Sequence, residues 1–438
     1  MEISRLFKTN LLPVWLVVLS FGPYVLPSLG LRTEHVLVYA LFVLGILILM
    51  VKRRPVFYDS ELILVFSLMF ALTILTSYST AFCFDDIMSR ASLGKIISHA
   101  EKYIRPMAVI VGLCAFFRIE EEYSPRRSLI DVSKALVYML ALNSTLIMAQ
   151  LFVDLSPILS RFTYGMGSAS FDGELRSVSD LGLTMGRFTG IFNQPAEAGL
   201  AYGLGLFAWA YLNSFGNKVS FLSRKDYLLL GLVAVGGFFS ISKIFLIIGV
   251  PMFLFYLLII SRKTHILNLK FLAIVMIGIT VIGYFLRSRE TFYSLYTLME
   301  AFDNRSISAL TGGRLGQQSS VGEQFQYIWG RDPLYGLGFA SYTCLDNGYL
   351  EFFAQGGLAC LVVYIALLVC MFLAALKHIK TEEGRFLMFI VVFISAAAVG
   401  MPPLTANRFS PIIWVFIVLI YFVFYSNKRS SNARKAMA

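Results

Sequence analysis

The sequence predicts an all-α integral membrane protein with about 12 transmembrane helices and two large outer loops that are partly helical. Three observations predict it: the composition, the spacing of the apolar stretches, and the sidedness of the basic residues. Of 438 residues, 58% are hydrophobic and only 14% charged, with a mean hydropathy of +0.73. A soluble fold would have to show that apolar excess to water, so the soluble classes are excluded.

Apolar stretches occupy 10–30, 34–51, 61–79, 104–118, 130–153, 196–214, 227–242, 244–261, 269–286, 354–376, 386–402 and 410–426. Several reach the ~20 residues that a helix needs to cross the hydrocarbon core. The first follows Arg5 and Lys8 as a signal peptide would, but it is long, contains Pro23 and Pro27, and lacks a small-residue cleavage site. It is therefore read as a span. The segment "GGFFSISKIFLIIG" divides 227–261 into two short spans that meet near Lys243. A single span there would throw the basic C-terminal tail to the other side.

Cytoplasmic loops retain Lys and Arg. Assigning each charge to its nearer side puts 22 basic and 10 acidic residues inside, together with both termini. Residues 80–103, 154–195 and 287–353 then form long outer connections, and residues 1–438 make a single polytopic membrane domain. The pI of about 9.3 follows from this sidedness and implies no nucleic-acid partner. Five cysteines without CxxC spacing suggest neither a metal site nor a disulfide framework, although Cys83 and Cys344 both fall outside, where they can pair.

The outer basic residues are a biased choice. Lys and Arg are equally frequent inside, whereas 12 of the 15 outer ones are Arg. Both residues serve the sidedness signal equally, but only Arg has a planar fork that grips phosphate oxygens bidentately. Arg176, Arg187, Arg287, Arg289, Arg314 and Arg331 are thus candidate phosphate ligands. The competing reading pairs them with loop acids such as Asp172, Glu174, Glu290, Asp303 and Asp332. Arg187 stands apart, because "GRFTGIF" has no adjacent acid. Downstream, Pro195 suits the first turn of a helix, and a helix N-terminus favours an anion. Glu197 in that turn is either a helix-end charge or a carboxylate aimed into a site.

A second constellation lies in 313–368. Gly336 and Gly338 permit a tight turn, and Asp346, Asn347, Tyr349 and Glu351 follow at the edge of an apolar run. A carboxylate at a membrane boundary is a functional candidate, while Asp346 or Asn347 also suits a helix cap. Trp329, Tyr342 and Tyr349 can stack on sugar rings or serve as an interfacial belt. The outer loops contain no His/Asp cluster or D-x-D pair for a metal, and no cofactor is expected.

In order along the chain, "GRFTGIFNQPAEAG", "SISK", an Arg-led helix, "DPLYGLGFASY" and "DNGYLEFFAQGGL" resemble the motifs of the O-antigen polymerase and O-antigen ligase family, and they cover about a third of the chain. The resemblance implies transfer of a glycan from an undecaprenyl pyrophosphate carrier on the periplasmic face of the bacterial inner membrane. Polymerases pass it to another carrier-linked repeat unit, and ligases pass it to lipid A core. Where the ligases carry His before Asn-x-Tyr-Leu this chain carries Asp346, which favours polymerase.

On this reading Asp346, then Glu197, then Glu351, is the base. Arg187 and Arg314 hold pyrophosphate with Arg176, Arg331, Arg287, Arg289 and Lys243, the last standing where the family has Arg. Tyr342, Asn347, Tyr349 and Trp329 contact sugar. The implied partners are undecaprenyl-pyrophosphate-linked oligosaccharides, membrane lipid and a chain-length regulator protein. A lipid-linked glycan flippase is the competing class. It would concentrate polar groups mid-membrane, whereas here they gather in the outer loops.

Overall fold

A computed structural model describes residues 11–26, 30–52, 57, 59–89, 92–119, 124–163, 169–171, 174–176, 182–214, 224–264, 293–304, 320–339 and 347–437. The chain is mostly helical. In order it forms α1 (Leu11–Ser20), a hairpin of β1 (Tyr24–Leu26) and β2 (Leu31–Arg32), α2 (Thr33–Lys52), α3 (Ser60–Phe82), α4 (Phe84–Met88), α5 (Leu93–Ile119), α6 (Pro125–Gln150) and α7 (Ser156–Leu159). A second two-stranded ribbon, β3 (Ala169–Phe171) with β4 (Glu174–Arg176), precedes α8 (Pro195–Ser214) and α9 (Arg224–Phe239). A π-helical turn (Ile244–Gly249) runs into α10 (Val250–Thr264). Then come α11 (Tyr293–Asp303), α12 (Ser320–Arg331), α13 (Gly348–Lys377), α14 (Glu382–Ala397) and α15 (Phe409–Met437).

Among the described residues five helices are long and apolar enough to cross a membrane: Thr33–Val51, Ser60–Phe82, Pro125–Gln150, Gly348–Lys377 and Phe409–Arg429. The expected stretches depart from this in specific ways. The stretch 10–30 is no continuous helix, because α1 stops at Ser20 and the chain turns through Gly22 and Pro23 into the hairpin. Ten helical residues rise only about 15 Å, half of a hydrocarbon core. The outer connection 80–103 is largely helix: α3 runs through Phe82, α4 follows at once, and α5 begins at Leu93 and continues past Pro106. The stretch 269–286 lies outside the described residues. Within 287–353, α11 and α12 supply helix in the loop.

Two compact units divide the chain. One comprises Met1–Leu136 and Arg331–Ala438, and the other Val137–Gly330. In the first, α13 packs on α3 and α14, α2 on α5, and α15 on α5 and α1. The first turn of α15 and most of its apolar run are fully buried, from Phe409 to Phe424. In the second, α8 is the centre, packed on α9, the π-turn and α10, with Ala198 to Tyr211 all buried. Small residues such as Gly199, Gly203 and Gly205 let its neighbours close in.

The charge count makes a prediction about sidedness. Ser320→Cys in an otherwise cysteine-free chain is expected to react with a membrane-impermeant maleimide from the outer side. Labelling only after the membrane is breached would invert the topology.

Candidate functional site

The segment 182–197 builds the site of the second unit from backbone turns. Arg187 N–H donates to Gly182 O at 2.8 Å and Gly186 N–H to Leu183 O at 2.9 Å, which curls the chain before Arg187. Phe188 N–H then donates to Phe239 O at 2.9 Å, fastening this stretch to the end of α9. Asn143 on α6, 2% exposed, holds the following turn: its Oδ1 accepts from Ile191 N–H at 3.0 Å, and its Nδ2 donates to Thr189 O at 3.3 Å and Tyr202 Oη at 2.9 Å. Gly190 has φ +61°, and a Cβ there would sit 2.1 Å from Asn143 Oδ1, so only glycine fits this turn.

Arg187 is thereby delivered to the start of α8. A Cβ on Gly182 would lie 3.6 Å from Arg187 O and 3.9 Å from Pro195 Cγ. Pro195 opens α8 as expected, and Glu197 in the first turn is fully buried. The guanidinium of half-buried Arg187 is oriented by Nε, which donates to Ser294 Oγ at 2.8 Å, while Ser294 N–H donates to Met185 O at 3.1 Å. The "SISK" turn closes the same region. Ile241 adopts φ +43°, a strained value for a β-branched residue. Gly199 is so close to the turn that a Cβ would lie 2.1 Å from Ser242 Oγ. Lys243 immediately precedes the π-turn, and π-turns of this kind gather at functional sites. Three expected segments, carrying Arg187, Glu197 and Lys243, thus converge on the first turns of α8.

In the first unit, the glycine-rich motifs have a different use. The helix α13 is broken at Gly356 (φ −140°, ψ 18°) and Gly357 (φ +66°, ψ −164°). The loop Pro333–Phe339 fills the break. Leu337 N–H donates to Ala354 O at 2.6 Å, Gly338 N–H to Gln355 O at 3.2 Å, and Leu358 N–H to Pro333 O at 2.8 Å. Three backbone groups flanking the break, Ala354 O, Gln355 O and Leu358 N–H, thereby gain partners, which a low-dielectric setting favours. On α3, Ser79 Oγ donates to Tyr335 O, and Thr80 Oγ1 accepts from Phe339 N–H at 2.7 Å.

Before the break, Glu351 is buried, 8% exposed, and accepts from Gln355 Nε2 at 3.2 Å, while Tyr103 Oη donates to Gln355 Oε1 at 2.6 Å. Cys83 is a free thiol beside Gly336 O, and burial pushes its pKa up, so it is a poor nucleophile.

Several expected ligands are engaged otherwise. Arg331 pairs with Asp86 at 2.9 Å, both 42% exposed, an ion pair of small energetic weight. Asn347 places its side-chain oxygen on the N-cap of α13, accepting from Leu350 N–H at 3.1 Å. Tyr349 donates its hydroxyl to Ser395 O at 2.8 Å and stacks edgewise on Tyr364. Trp329 is 52% exposed and stacks on Phe325 at 5.6 Å. Arg176 lies in β4. Asp346, Arg314, Arg287, Arg289, Tyr342 and Cys344 lie outside the described residues.

The first unit also contains a charged cluster that sequence reasoning missed. Arg32, Arg105 and Arg408 are each at most 1% exposed, and Glu34, His35 and Glu101 accompany them. Arg105 falls inside the expected stretch 104–118 and Glu34 opens 34–51, so the spans are not free of charge. The available signal was position: each arginine lies at or beside an end of an apolar stretch.

Compared with known proteins, the chain matches no protein-family model and no curated sequence.

Proposed function

We propose that the chain is a glycosyltransferase acting at the periplasmic face of the bacterial inner membrane, with both termini cytoplasmic. It polymerises undecaprenyl-pyrophosphate-linked oligosaccharide repeat units into O-antigen or a similar surface polysaccharide. The observation that carries this reading is the convergence of the Arg187 segment, the α8 N-terminus and the Lys243 turn. A guanidinium oriented by Ser294, on a segment that packs near the start of a helix, is chemistry suited to a pyrophosphate.

The acceptor hydroxyl oxygen attacks the anomeric carbon of the donor sugar, and the bond from that carbon to the pyrophosphate oxygen breaks. The departing lipid pyrophosphate carries away the electron pair, its charge stabilised by Arg187 and the helix start. The hydroxyl proton passes to a carboxylate: Asp346 first, then the buried Glu197, then the buried Glu351. Asp346 in the place of the ligase His favours a carrier-linked acceptor over lipid A core.

Deleting the protein separates these readings. A polymerase deletion leaves surface lipid bearing a single repeat unit, whereas a ligase deletion leaves lipid A core bare and long chains on the carrier. A flippase deletion retains repeat units on the cytoplasmic side. Asp346→Asn is expected to reproduce the polymerase deletion, because the amide keeps the shape and loses the basic lone pair, while a capping role would survive. Full-length polymer from Asp346→Asn passes the base role to Glu197.

A further inference from the structure

The buried arginines of the first unit are arranged around few acceptors. Arg32 and Arg105 both donate to one carbonyl, Asn407 O, from Nη2 at 2.8 Å and from Nη1, which brings two guanidinium groups together. Arg32 also pairs with Glu34 through Nε and meets His35 Nε2 at 3.2 Å. Its Nη1 has no hydrogen-bond partner among the described residues, although Arg32 is 1% exposed. A buried guanidinium N–H without an acceptor is costly, by more than a neutral donor would be.

Arg408 joins the cluster, donating to Ser20 O at 2.9 Å and Gly22 O at 2.6 Å. Its guanidinium carbon lies 5.3 Å from the Tyr24 ring centroid and that of Arg32 lies 5.8 Å from it. One member differs from the rest. Glu101 is a quarter exposed, and it clasps Arg105 in bidentate fashion, Nε to Oε1 at 2.9 Å and Nη2 to Oε2 at 2.7 Å. Tyr39 Oη holds the same carboxylate at 2.9 Å.

We propose that Arg32, Arg105 and Arg408 form an oxyanion site for a phosphate group, distinct from the Arg187 segment, and that Glu101 is its displaceable internal occupant. The bidentate clasp is the geometry that phosphate and carboxylate share. Glu101 is the one carboxylate of the cluster with solvent access, so it is the one able to withdraw when a more highly charged oxyanion enters. Arg32 Nη1 is a donor ready for it. The charge count places all three arginines at outer span ends, where a lipid headgroup phosphate lies. The inference does not depend on glycosyl transfer, and its test reads binding.

The test uses full-length Arg187→Ala protein purified in phosphate-free detergent, so that Arg187 contributes nothing and the Arg32 and Glu101 variants assign the response to the first unit. Unfolding temperature is followed against inorganic phosphate, and separately in micelles carrying phosphatidylglycerol or a phosphate-free galactolipid. Stabilisation is expected with one or both phosphate-bearing probes. Phosphate alone sufficing identifies a free-anion site, and a response confined to phosphatidylglycerol identifies a headgroup site.

Glu101→Gln removes the competing charge and is expected to lower the half-saturating concentration about tenfold, while Arg32→Gln raises it about tenfold. If Arg32→Gln fails to fold, Arg32→Lys, which keeps charge and loses the fork, is read instead and is expected to weaken binding in the same direction. A purely structural network predicts the opposite for Glu101→Gln: lower stability and no gain in phosphate response. That result, or no response to either probe in both the parent and Glu101→Gln, overturns the proposal.

Discussion

Replacing Gly357 with alanine is expected to destabilise the chain by about 4 kcal/mol, combining ~1–3 kcal/mol of backbone strain with the loss of several hydrogen bonds worth ~1 kcal/mol each. Its φ of +66° with ψ of −164° belongs to a region that only glycine occupies readily. A Cβ would also stand 2.1 Å from Leu334 O, and that atom belongs to the loop that completes the broken helix. The side chain would expel the loop and strand the carbonyls of Ala354 and Gln355 and the N–H of Leu358. Thermal unfolding in detergent measures it, with Gly231→Ala as comparison. Gly231 lies in α9 with nothing within 4 Å of a Cβ, so alanine there is expected to be neutral or to stabilise by up to about 1 kcal/mol. Equal unfolding temperatures for the two variants would show that the loop does not lock the break.

Arg187→Lys is expected to reduce polymerisation roughly ten- to a hundredfold at normal expression, nearer to Arg187→Ala than to the parent. Lysine keeps the charge but has no Nε–H to hold on Ser294 Oγ, so the head group loses both its fork and its fixed orientation. Ser294→Ala, which leaves the fork and frees it, should give an intermediate loss. Polymer length profiles from matched expression levels check the series. Full activity from Arg187→Lys would mean that only net charge matters, and the pyrophosphate clamp would fail.

Local signals were readable wherever the physics is local. Pro195 marked the start of α8 because proline can give up only an N–H that a first helical turn leaves unpaired, and the turn at Ser240–Lys243 showed itself as a polar break between apolar runs. Gly336 and Gly338 announced a tight turn, but their partner, the break at Gly356–Gly357, is a long-range pairing that no periodicity encodes. Position separated the cap from the site only in part: Asn347 sits where either role is cheap, and the bond from Leu350 N–H shows the cap. The arginine cluster was hidden for the same reason as the break. Arg32, Arg105 and Arg408 are far apart in sequence, and each read alone is an ordinary boundary charge. The hairpin after α1 was obscured because Pro23 and Pro27 lie in a stretch whose composition alone satisfies a span.

The first unit is assembled from the two ends of the chain, with the second unit encoded between them. Arg105 finds its acceptor at Asn407, 302 residues later. During synthesis at ~5–20 residues per second, the membrane therefore holds an incomplete first unit for tens of seconds before α15 emerges. Over that interval Arg105 has Glu101 nearby in sequence as a companion, and Arg32 has Glu34, so each charge is escorted by a neighbour translated with it. Late closure of this kind is slow folding by construction, because contacts of high sequence separation form last. The short-range glutamates give Arg32 and Arg105 a counter-charge while the chain waits for its late partner.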